Sequence, residues 1–178
     1  MFQQHVKGHT MDSHPLADRT CGSCMMCCKL PKIESLDKDA GVWCRFAKPG
    51  QGCTNYEDRP TQCSTFFCDW MRDASFGPEW QPSVAKFLFF TSGVGGSFTI
   101  LPDTGYPNSW KNPLYYPRLK RYACELLETG KTTLVLHGNN VTVVLPDRDE
   151  TILMAMNKKI TVKTLESGNS IRYEVLVE

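Results

Sequence analysis

The chain has 178 residues and a formal net charge of +1, because 20 Lys and Arg side chains face 19 Asp and Glu side chains. This length suits one domain, and the near-neutral charge argues against nucleic acid and anionic membranes as partners. The N-terminus has no basic segment followed by an apolar stretch, and no apolar run approaches the ~20 residues of a membrane span. We therefore predict a cytoplasmic protein with no membrane partner.

The first 19 residues are polar and follow neither helical nor strand periodicity, so residues 1–19 are predicted to form a flexible N-terminal arm. His5, His9 and His14 lie in this arm. Their spacing matches no metal-site pattern, and a solvated tail is the simpler interpretation. These imidazoles are therefore not included among the predicted ligands.

Residues 20–82 contain eight of the nine cysteines and few aliphatic residues. A segment so poor in apolar side chains cannot build an ordinary core, and such segments are usually stabilised by disulfides or by metal. Because the cytosol keeps thiols reduced, a dense cysteine cluster there indicates metal binding or catalysis rather than disulfide bonds. We predict a loop-rich cysteine-cluster lobe, stapled by metal and packed on a small antiparallel sheet.

Residues 83–178 have the pattern of an ordinary α+β fold and are predicted to complete one compact unit with the lobe. Strand-like runs separated by turn residues predict three hairpins. The paired segments are 86–91 with 97–101, 132–137 with 141–145, and 160–165 with 171–177. The run Gly93-Val-Gly95-Gly96 is predicted to be a hairpin turn, since a strand follows it where a phosphate-binding loop needs a helix. A short helix is predicted around residues 150–156.

A longer helix is predicted over residues 116–128. Pro117 suits the first turn of a helix, and Gly130 suits the position just past its end. Its buried stripe is predicted to consist of Leu119, Tyr122, Ala123 and Leu126. Cys124 lies off this stripe, and we interpret it as a half-buried spare cysteine rather than as a nucleophile paired with His137.

The cysteines of the lobe follow a specific spacing. Two Cys-x-x-Cys gaps run in series in Cys21-Gly-Ser-Cys24-Met-Met-Cys27-Cys28, and a two-residue gap lets both sulfurs reach one ion. The other predicted ligands are Cys44, Cys53, Cys63, which ends an Arg59-Pro60-x-x-Cys63 sequence, and Cys68. In a helix or in a strand, Cys27 and Cys28 point in different directions. The adjacent pair is therefore not expected to serve one metal in the same way.

Eight thiolates suit two four-coordinate centres, which are either zinc sites with four cysteines each or iron–sulfur clusters of the 4Fe–4S type. The spacing chooses neither the metal nor the cysteines that share a centre. Two zinc tetrathiolates would change the formal charge from +1 to −3, so donors are expected nearby. Arg59 is either such a donor, behind the ligands, or an ordinary surface cation.

The cysteine pattern resembles the YkgJ-type cysteine-cluster family of zinc- or iron-chelating domains. The shared elements are Cys-x-x-Cys-x-x-Cys-Cys at residues 21–28, Cys44 with the aromatic Phe46, Gly52-Cys53-x-x-Tyr56, and Arg59-Pro60-x-x-Cys63. The resemblance covers residues 21 to about 70 and implies metal binding by these cysteines. One branch of the family is similar to flagellin lysine methylases, which carry an iron–sulfur cluster.

These observations favour a metal-binding protein with a structural, interaction or metal-handling role. Its expected partners are metal ions, and a protein partner is also possible on this interpretation. A centre closed by four protein thiolates leaves no position for a substrate, which argues against an enzyme. The alternative is an iron–sulfur redox protein or a methylase-like enzyme, although the sequence reveals no substrate pocket. Trp70, Trp80 and Trp110 are expected to pack the lobe against the sheet rather than to stack nucleic-acid bases.

Overall fold

The computed structural model describes residues 14–92, 96–153, 159–168 and 170–177. Within these ranges the protein is a mixed α+β structure, which confirms the predicted fold class. His5, His9 and the glycine-rich turn at residues 93–95 lie outside the described residues. In the described part of the chain, no helix is long and apolar enough to cross a lipid bilayer.

The cysteine-rich part contains only short regular elements. Its helices and strands are α1 (Met26–Lys29), a 3-10 turn (Glu34–Leu36), β1 (Ala47–Lys48), β2 (Gly52–Cys53), α2 (Thr61–Ser64) and α3 (Asp69–Arg72). A second 3-10 turn (Pro78–Trp80) and α4 (Pro82–Ala85) lead from there to the sheet. Because none of these described elements exceeds four residues, loops form most of residues 20–72.

A five-stranded sheet forms the centre of the molecule, with its strands in the order β3-β4-β5-β6-β7. The strands are β3 (Phe87–Thr91), β4 (Phe98–Pro102), β5 (Thr133–His137), β6 (Asn140–Val144) and β7 (Asp149–Leu153). All neighbours are antiparallel except β4 and β5, which run parallel. A parallel pair needs a crossover, which here carries a 3-10 turn (Ser109–Lys111) and α5 (Tyr116–Glu128). The sheet is therefore mixed, not wholly antiparallel as predicted.

The helix α5 and the first two hairpins are confirmed. The first hairpin is β3–β4 and the second is β5–β6. The helix has the predicted bounds, with Leu119 and Ala123 fully buried and Tyr122 and Leu126 packed against the core. Cys124, interpreted from the sequence as half-buried, is exposed, because it lies off the buried stripe of α5.

The short helix predicted around residues 150–156 is wrong for the residues that the structure describes. Residues 149–153 form β7, which pairs with β6 so that Thr151 lies opposite Thr142, with the two hydroxyls 2.8 Å apart. Residues 154–158 lie outside the described part. Backbone bonding to a neighbouring strand outweighs the weak local helix preference of this run.

The third predicted hairpin is confirmed as β8 (Ile160–Ser167) and β9 (Ser170–Val177), which form a separate two-stranded sheet. Arg148, in the turn between β6 and β7, donates a 2.7 Å hydrogen bond to the Tyr173 carbonyl of β9. This bond ties the hairpin to the five-stranded sheet. Most of the described hairpin side chains are exposed.

Aromatic side chains form the main core between the sheet and α5. Phe76 is fully buried, and its ring centroid lies 4.7 Å from that of Phe89 and 5.1 Å from that of Trp80. Trp110 is buried in the same core. Trp70 is half-buried and packs both on this core and on a second cluster in the cysteine-rich part. Trp70 therefore links the lobe to the sheet, as predicted.

A second, smaller cluster lies under the cysteines. We call it the lobe cluster; its buried members are Met26, Leu30, Cys68, Met71 and Leu88. Since Leu88 belongs to β3 and the others to residues 26–71, the lobe cluster packs the cysteine-rich part directly against the first strand of the sheet.

The end of the predicted N-terminal arm is held to the lobe rather than free. The guanidinium of Arg19 donates hydrogen bonds to the carbonyls of Trp70, Asp73 and Phe76 and stacks 4.9 Å from the Trp70 ring. The backbone N–H of Leu16 donates a 2.8 Å bond to the Met71 carbonyl. Leu16 and Arg19 are therefore bonded to residues 70–76, while residues 1–13 lie outside the described part.

Candidate functional site

The first cysteines lie on a tight turn that leads into α1. The Cys24 N–H donates a 2.8 Å bond to the Cys21 carbonyl, and Gly22 inside this turn has φ +45°. A positive φ of this size favours glycine, which explains why the turn can be so short. Cys27 and Cys28 follow within α1, where consecutive side chains diverge by about 100°.

The next cysteines are brought to this turn by loop contacts. The Cys44 N–H donates a 2.9 Å bond to the Cys28 carbonyl, and the Cys44 carbonyl accepts one from Ala47 in β1. Ala47 pairs with Cys53 in β2. Gly52 has φ +89°, and a Cβ there would lie 3.3 Å from the Gly22 carbonyl oxygen. Glycine at this position lets β2 carry Cys53 close to the Cys21–Cys24 turn.

The last two cysteines lie in or next to short helices. Cys63 lies in α2, which begins after Pro60, and its N–H donates a 2.8 Å bond to the Pro60 carbonyl. Cys68 directly precedes α3 and is buried in the lobe cluster. Pro60 has φ −55°, and the absence of a proline N–H is harmless at a helix start. The Arg-Pro-x-x-Cys sequence thus positions Cys63 through its proline.

The predicted ligands converge on one cavity of about 440 Å³. Seven of the eight line it: Cys21, Cys24, Cys27, Cys28, Cys44, Cys53 and Cys63. The eighth, Cys68, lies behind this wall, in a smaller pocket that Cys21, Cys24 and Cys27 also line. The structure therefore brings together residues that are up to 47 positions apart in the sequence.

The cysteines lie near one another without forming a ligand cage. All nine are free thiols. Across the described residues, no three His, Cys, Asp or Glu side chains have the geometry that would hold a metal ion. The arrangement is therefore a shared cavity lined with cysteine side chains.

Burial and mutual proximity raise the pKa of four thiols in this region, those of Cys21, Cys27, Cys63 and Cys68. Burial raises the pKa of the Cys21 and Cys63 thiols and raises that of Cys68 to about 12. The Cys27 thiol shares a hydrogen bond with Cys28, which raises the pKa of Cys27 and lowers that of Cys28. A metal that binds here must displace the thiol protons, since the thiolate is the ligand.

A buried cation lies beside the cavity, at a residue that the sequence did not single out. Lys38 is 6% exposed, and its ammonium donates to the carbonyls of Lys29 (2.9 Å), Pro31 (2.6 Å) and Asp39 (3.0 Å). Burial lowers the pKa of Lys38, while interaction with Cys44, Cys28 and Cys63 opposes that shift. In the sequence, the run Asp37-Lys38-Asp39 has the composition of a solvated charged turn, so no local signal identifies it.

Arg59 lies in the cavity wall. Its guanidinium stacks 3.7 Å from the Tyr56 ring centroid, and a hydrogen bond with Tyr56 raises its pKa. It also favours the thiolate forms of Cys21 and Cys63. Among the described residues that line the cavity, Arg59 carries the one charged side chain.

The other sequence candidates lie away from this cavity. Cys124 is exposed on α5, and His137 ends β5. His14 is exposed. Within the described residues these side chains are not part of the cavity lining.

Comparisons with known proteins identify no relative. No family model matches the chain, and neither a curated protein nor a solved structure does.

Proposed function

We propose that the chain is a metal-binding protein whose cysteine-rich lobe holds zinc or iron through thiolates. The observation that carries this proposal is the convergence of seven cysteines on one cavity, with the eighth directly behind it. The proposed ligands are Cys21, Cys24, Cys27, Cys28, Cys44, Cys53, Cys63 and Cys68.

The donor atoms around the cavity favour soft metals. Thiolates select zinc, copper(I) and iron–sulfur clusters, whereas calcium and magnesium need oxygen ligands. The described lining contains no carboxylate or imidazole, and its polar side chains besides cysteine include Arg59, Asn55 and Gln62. The amides of Asn55 and Gln62 donate to the carbonyls of Asp58 and Lys32. The Arg59 guanidinium carries several N–H donors, and a sulfur-ligated centre with net negative charge requires such donors.

The local fold also supports a stapling role for the metal. Residues 20–72 have no described element longer than four residues, and such a segment gains little stability from its own backbone bonds. A site that forms only in the folded state contributes its binding free energy to folding, as structural zinc does. We infer that metal holds this lobe on the sheet and that the lobe serves interaction or metal handling.

The resemblance to the YkgJ-type family agrees with this proposal, since that family is one of metal-chelating domains. We propose membership on the cysteine pattern alone. The nine free thiols agree with a reducing compartment such as the cytoplasm.

The cavity volume favours a second candidate, an iron–sulfur redox protein or enzyme. Zinc–sulfur bonds of about 2.3 Å bring four sulfurs into mutual contact and leave no space between them. A cavity of about 440 Å³ whose lining includes polar side chains accommodates a larger group, such as a cluster with room for a substrate beside it.

The two candidate functions predict a different metal content and a different colour for the purified protein. The protein should be purified without oxygen, and its metal, acid-labile sulfide and visible absorption should be measured on one sample. Two zinc ions without sulfide in a colourless solution support the structural metal lobe. A brown solution that contains about four iron atoms and four sulfide ions per protein molecule supports the iron–sulfur cluster. Protein with neither metal nor sulfide, even after refolding with zinc or with iron and sulfide, refutes both.

A matched pair of variants tests the assignment of the ligands. Cys63→Ser removes a thiol from the cavity wall, whereas Cys124→Ser removes an exposed thiol on α5. We expect the first variant to lose metal and the second to retain the full amount. Equal metal content in both variants would show that the cavity is not the binding site.

A further inference from the structure

We propose that two copies of this chain associate through the outer edge of β7, with β7 of one copy paired antiparallel to β7 of the other. This association goes beyond metal binding and does not depend on it. β7 is the last strand of the five-stranded sheet, and β8 and β9 form a sheet of their own. Among the described strands, β7 is therefore paired on one side, with β6, and unpaired on the other.

The opposite edge of the sheet, at β3, is packed against the lobe. Leu88 of β3 is buried in the lobe cluster, and the Thr91 hydroxyl donates a 2.8 Å hydrogen bond to the carboxylate of buried Asp69. On β7, by contrast, Leu153 is 77% exposed, more than any other large apolar side chain in the described part of the chain. The accessible edge of the sheet is therefore the β7 edge.

The backbone of β7 directs every second residue toward this edge. The Leu145 N–H donates a 2.9 Å bond to the Arg148 carbonyl, so these two residues form a hydrogen-bonded pair at the start of the β6–β7 ladder. Bonded and non-bonded pairs alternate along an antiparallel ladder. The even-numbered residues of β7 therefore bond to β6, and the odd-numbered ones direct their N–H and C=O groups outward. The outward residues are Asp149, Thr151 and Leu153.

The side chains on this part of the ladder agree with that assignment. Thr151 lies opposite Thr142, and the two hydroxyls are 2.8 Å apart. Side chains approach most closely in the non-bonded pairs of an antiparallel ladder. The outer edge of β7 therefore carries a row of N–H and C=O groups that a further strand can pair with.

A second copy of β7 fits this row because the strand is complementary to itself. In a pair of identical antiparallel strands related by a two-fold axis, one residue lies opposite its own counterpart. With the axis at Thr151, Asp149 of one copy lies opposite Leu153 of the other, and Glu150 lies opposite Ile152. Every outward N–H and C=O group then meets a partner, and no carboxylate lies directly opposite another, a pairing that would be unfavourable.

The two carboxylates of β7 do not prevent this approach, because each is neutralised within its own chain. Asp149 pairs with the ammonium groups of Lys120 at 2.7 Å and Lys111 at 3.1 Å. Glu150 pairs with the guanidinium of Arg148 at 2.8 Å. Sheet edges are commonly protected from association by unpaired charges, lysine or proline. The sequence of β7, Asp-Glu-Thr-Ile-Leu, contains neither lysine nor proline.

Sedimentation velocity over a concentration series tests the association directly. Two strands of five residues form a small interface, and small interfaces give weak, reversible complexes. We expect a monomer–dimer equilibrium in the micromolar range or above. A chain that remains monomeric up to about 1 mM would refute the proposal.

Amide hydrogen exchange of the wild-type protein tests the mode of pairing without any substitution. The amides of Asp149, Thr151 and Leu153 should exchange at least several-fold more slowly in concentrated than in dilute protein, because they gain acceptors in the dimer. The amides of Glu150 and Ile152, which already bond to β6, should not respond to concentration. Equal protection of the outward amides at every concentration in a monomer would show that another segment of the same chain covers the edge, which overturns the proposal.

Two matched pairs of variants locate the interface. Thr151→Pro removes an outward N–H that β6 does not use, and proline is tolerated at such edge positions; Thr151→Val keeps the N–H but loses the hydroxyl contact with Thr142. The proline variant should raise the dimer dissociation constant at least tenfold over that of the valine variant. Leu153→Glu, which places a carboxylate opposite Asp149, should weaken the dimer similarly, whereas Leu165→Glu, on exposed β8, should not. Dimers of wild-type strength in Thr151→Pro or in Leu153→Glu would place the interface elsewhere.

Discussion

The ammonium of Lys29 lies 2.8 Å and 2.9 Å from the two carboxylate oxygens of Asp103, and this ion pair joins the cysteine-rich part to the sheet. Lys29 ends α1, next to Cys28, and Asp103 directly follows β4. Both side chains are largely buried, with relative exposures of 16% and 10%. A pair in such a place is screened less by solvent than a surface pair.

Asp103→Asn should destabilise the fold by about 2 kcal/mol, because it leaves the ammonium of Lys29 without its charged acceptor. Urea denaturation at neutral pH would measure the change. Asp147→Asn is a suitable control, since Asp147 pairs with Arg148 at a site where both are at least two-fifths exposed. The control should change stability by no more than ~0.5 kcal/mol. Equal effects of the two substitutions would contradict the role of the buried pair.

The contribution of Asp103 should disappear in acid. Burial favours its neutral form, but the hydrogen bonds from Lys29 and from the Gly105 N–H outweigh burial and hold the pKa of Asp103 below its ordinary value. A lowered pKa means that the stabilisation is present above the unfolded-state value of about 4 and is lost as the pH falls through the folded-state value. The difference in stability between wild type and Asp103→Asn should therefore be full at pH 7 and shrink below about pH 4. A difference that stays constant into acid would contradict this assignment.

Lys38→Met should destabilise the lobe by about 2–3 kcal/mol. The methionine side chain keeps much of the apolar stem but leaves three carbonyls, those of Lys29, Pro31 and Asp39, without the donor they share. Thermal unfolding followed by near-ultraviolet circular dichroism would detect the loss. Lys32→Met changes an exposed lysine in the same loop and should leave the unfolding temperature nearly unchanged. Similar unfolding temperatures for the two variants would show that the carbonyl contacts contribute little.

Arg19→Met should release the chain that precedes the lobe. The guanidinium donates hydrogen bonds to three carbonyls between residues 70 and 76. A planar guanidinium has five N–H donors in a fixed arrangement, so a lysine ammonium would replace these bonds only in part. We therefore expect faster amide hydrogen exchange at Leu16 and Arg19 in the variant, with only partial protection restored by Arg19→Lys. Full protection in the Lys variant would show that charge alone holds this segment.

Cys124 should be the first thiol to react. It is exposed on α5, whereas each of the other eight cysteines is at least half-buried in the lobe. A disulfide reagent applied to the native protein should modify about one thiol in a fast phase, which Cys124→Ser should abolish. Metal content should be the same in both proteins. Persistence of the fast phase in the variant would place an accessible thiol within the lobe.

Local patterns were sufficient for much of the C-terminal part. The spacing of Leu119 and Ala123 and the positions of Pro117 and Gly130 predicted α5 with its bounds, because helix periodicity and end signals are properties of neighbouring residues. A short helix was predicted around residues 150–156, whereas residues 149–153 form β7, because their strand partner lies several residues earlier in β6. Local patterns also do not predict the parallel pairing of β4 with β5, since more than 30 residues separate the paired residues Phe98 and Thr133.

For the proposed site, the sequence by itself determined which cysteines are candidate ligands, and the tertiary structure decided which of them share a cavity. The number and spacing of the cysteines, with few aliphatic side chains around them, already indicate thiolate ligation. Only the folded chain places Cys68 on the lobe cluster and Lys38 beside Cys28 and Cys44. Spacing constrains sulfurs a few residues apart, whereas Cys28 and Cys44 meet through a backbone hydrogen bond across a loop. Contacts of that kind depend on how loops fold back, which no local pattern encodes.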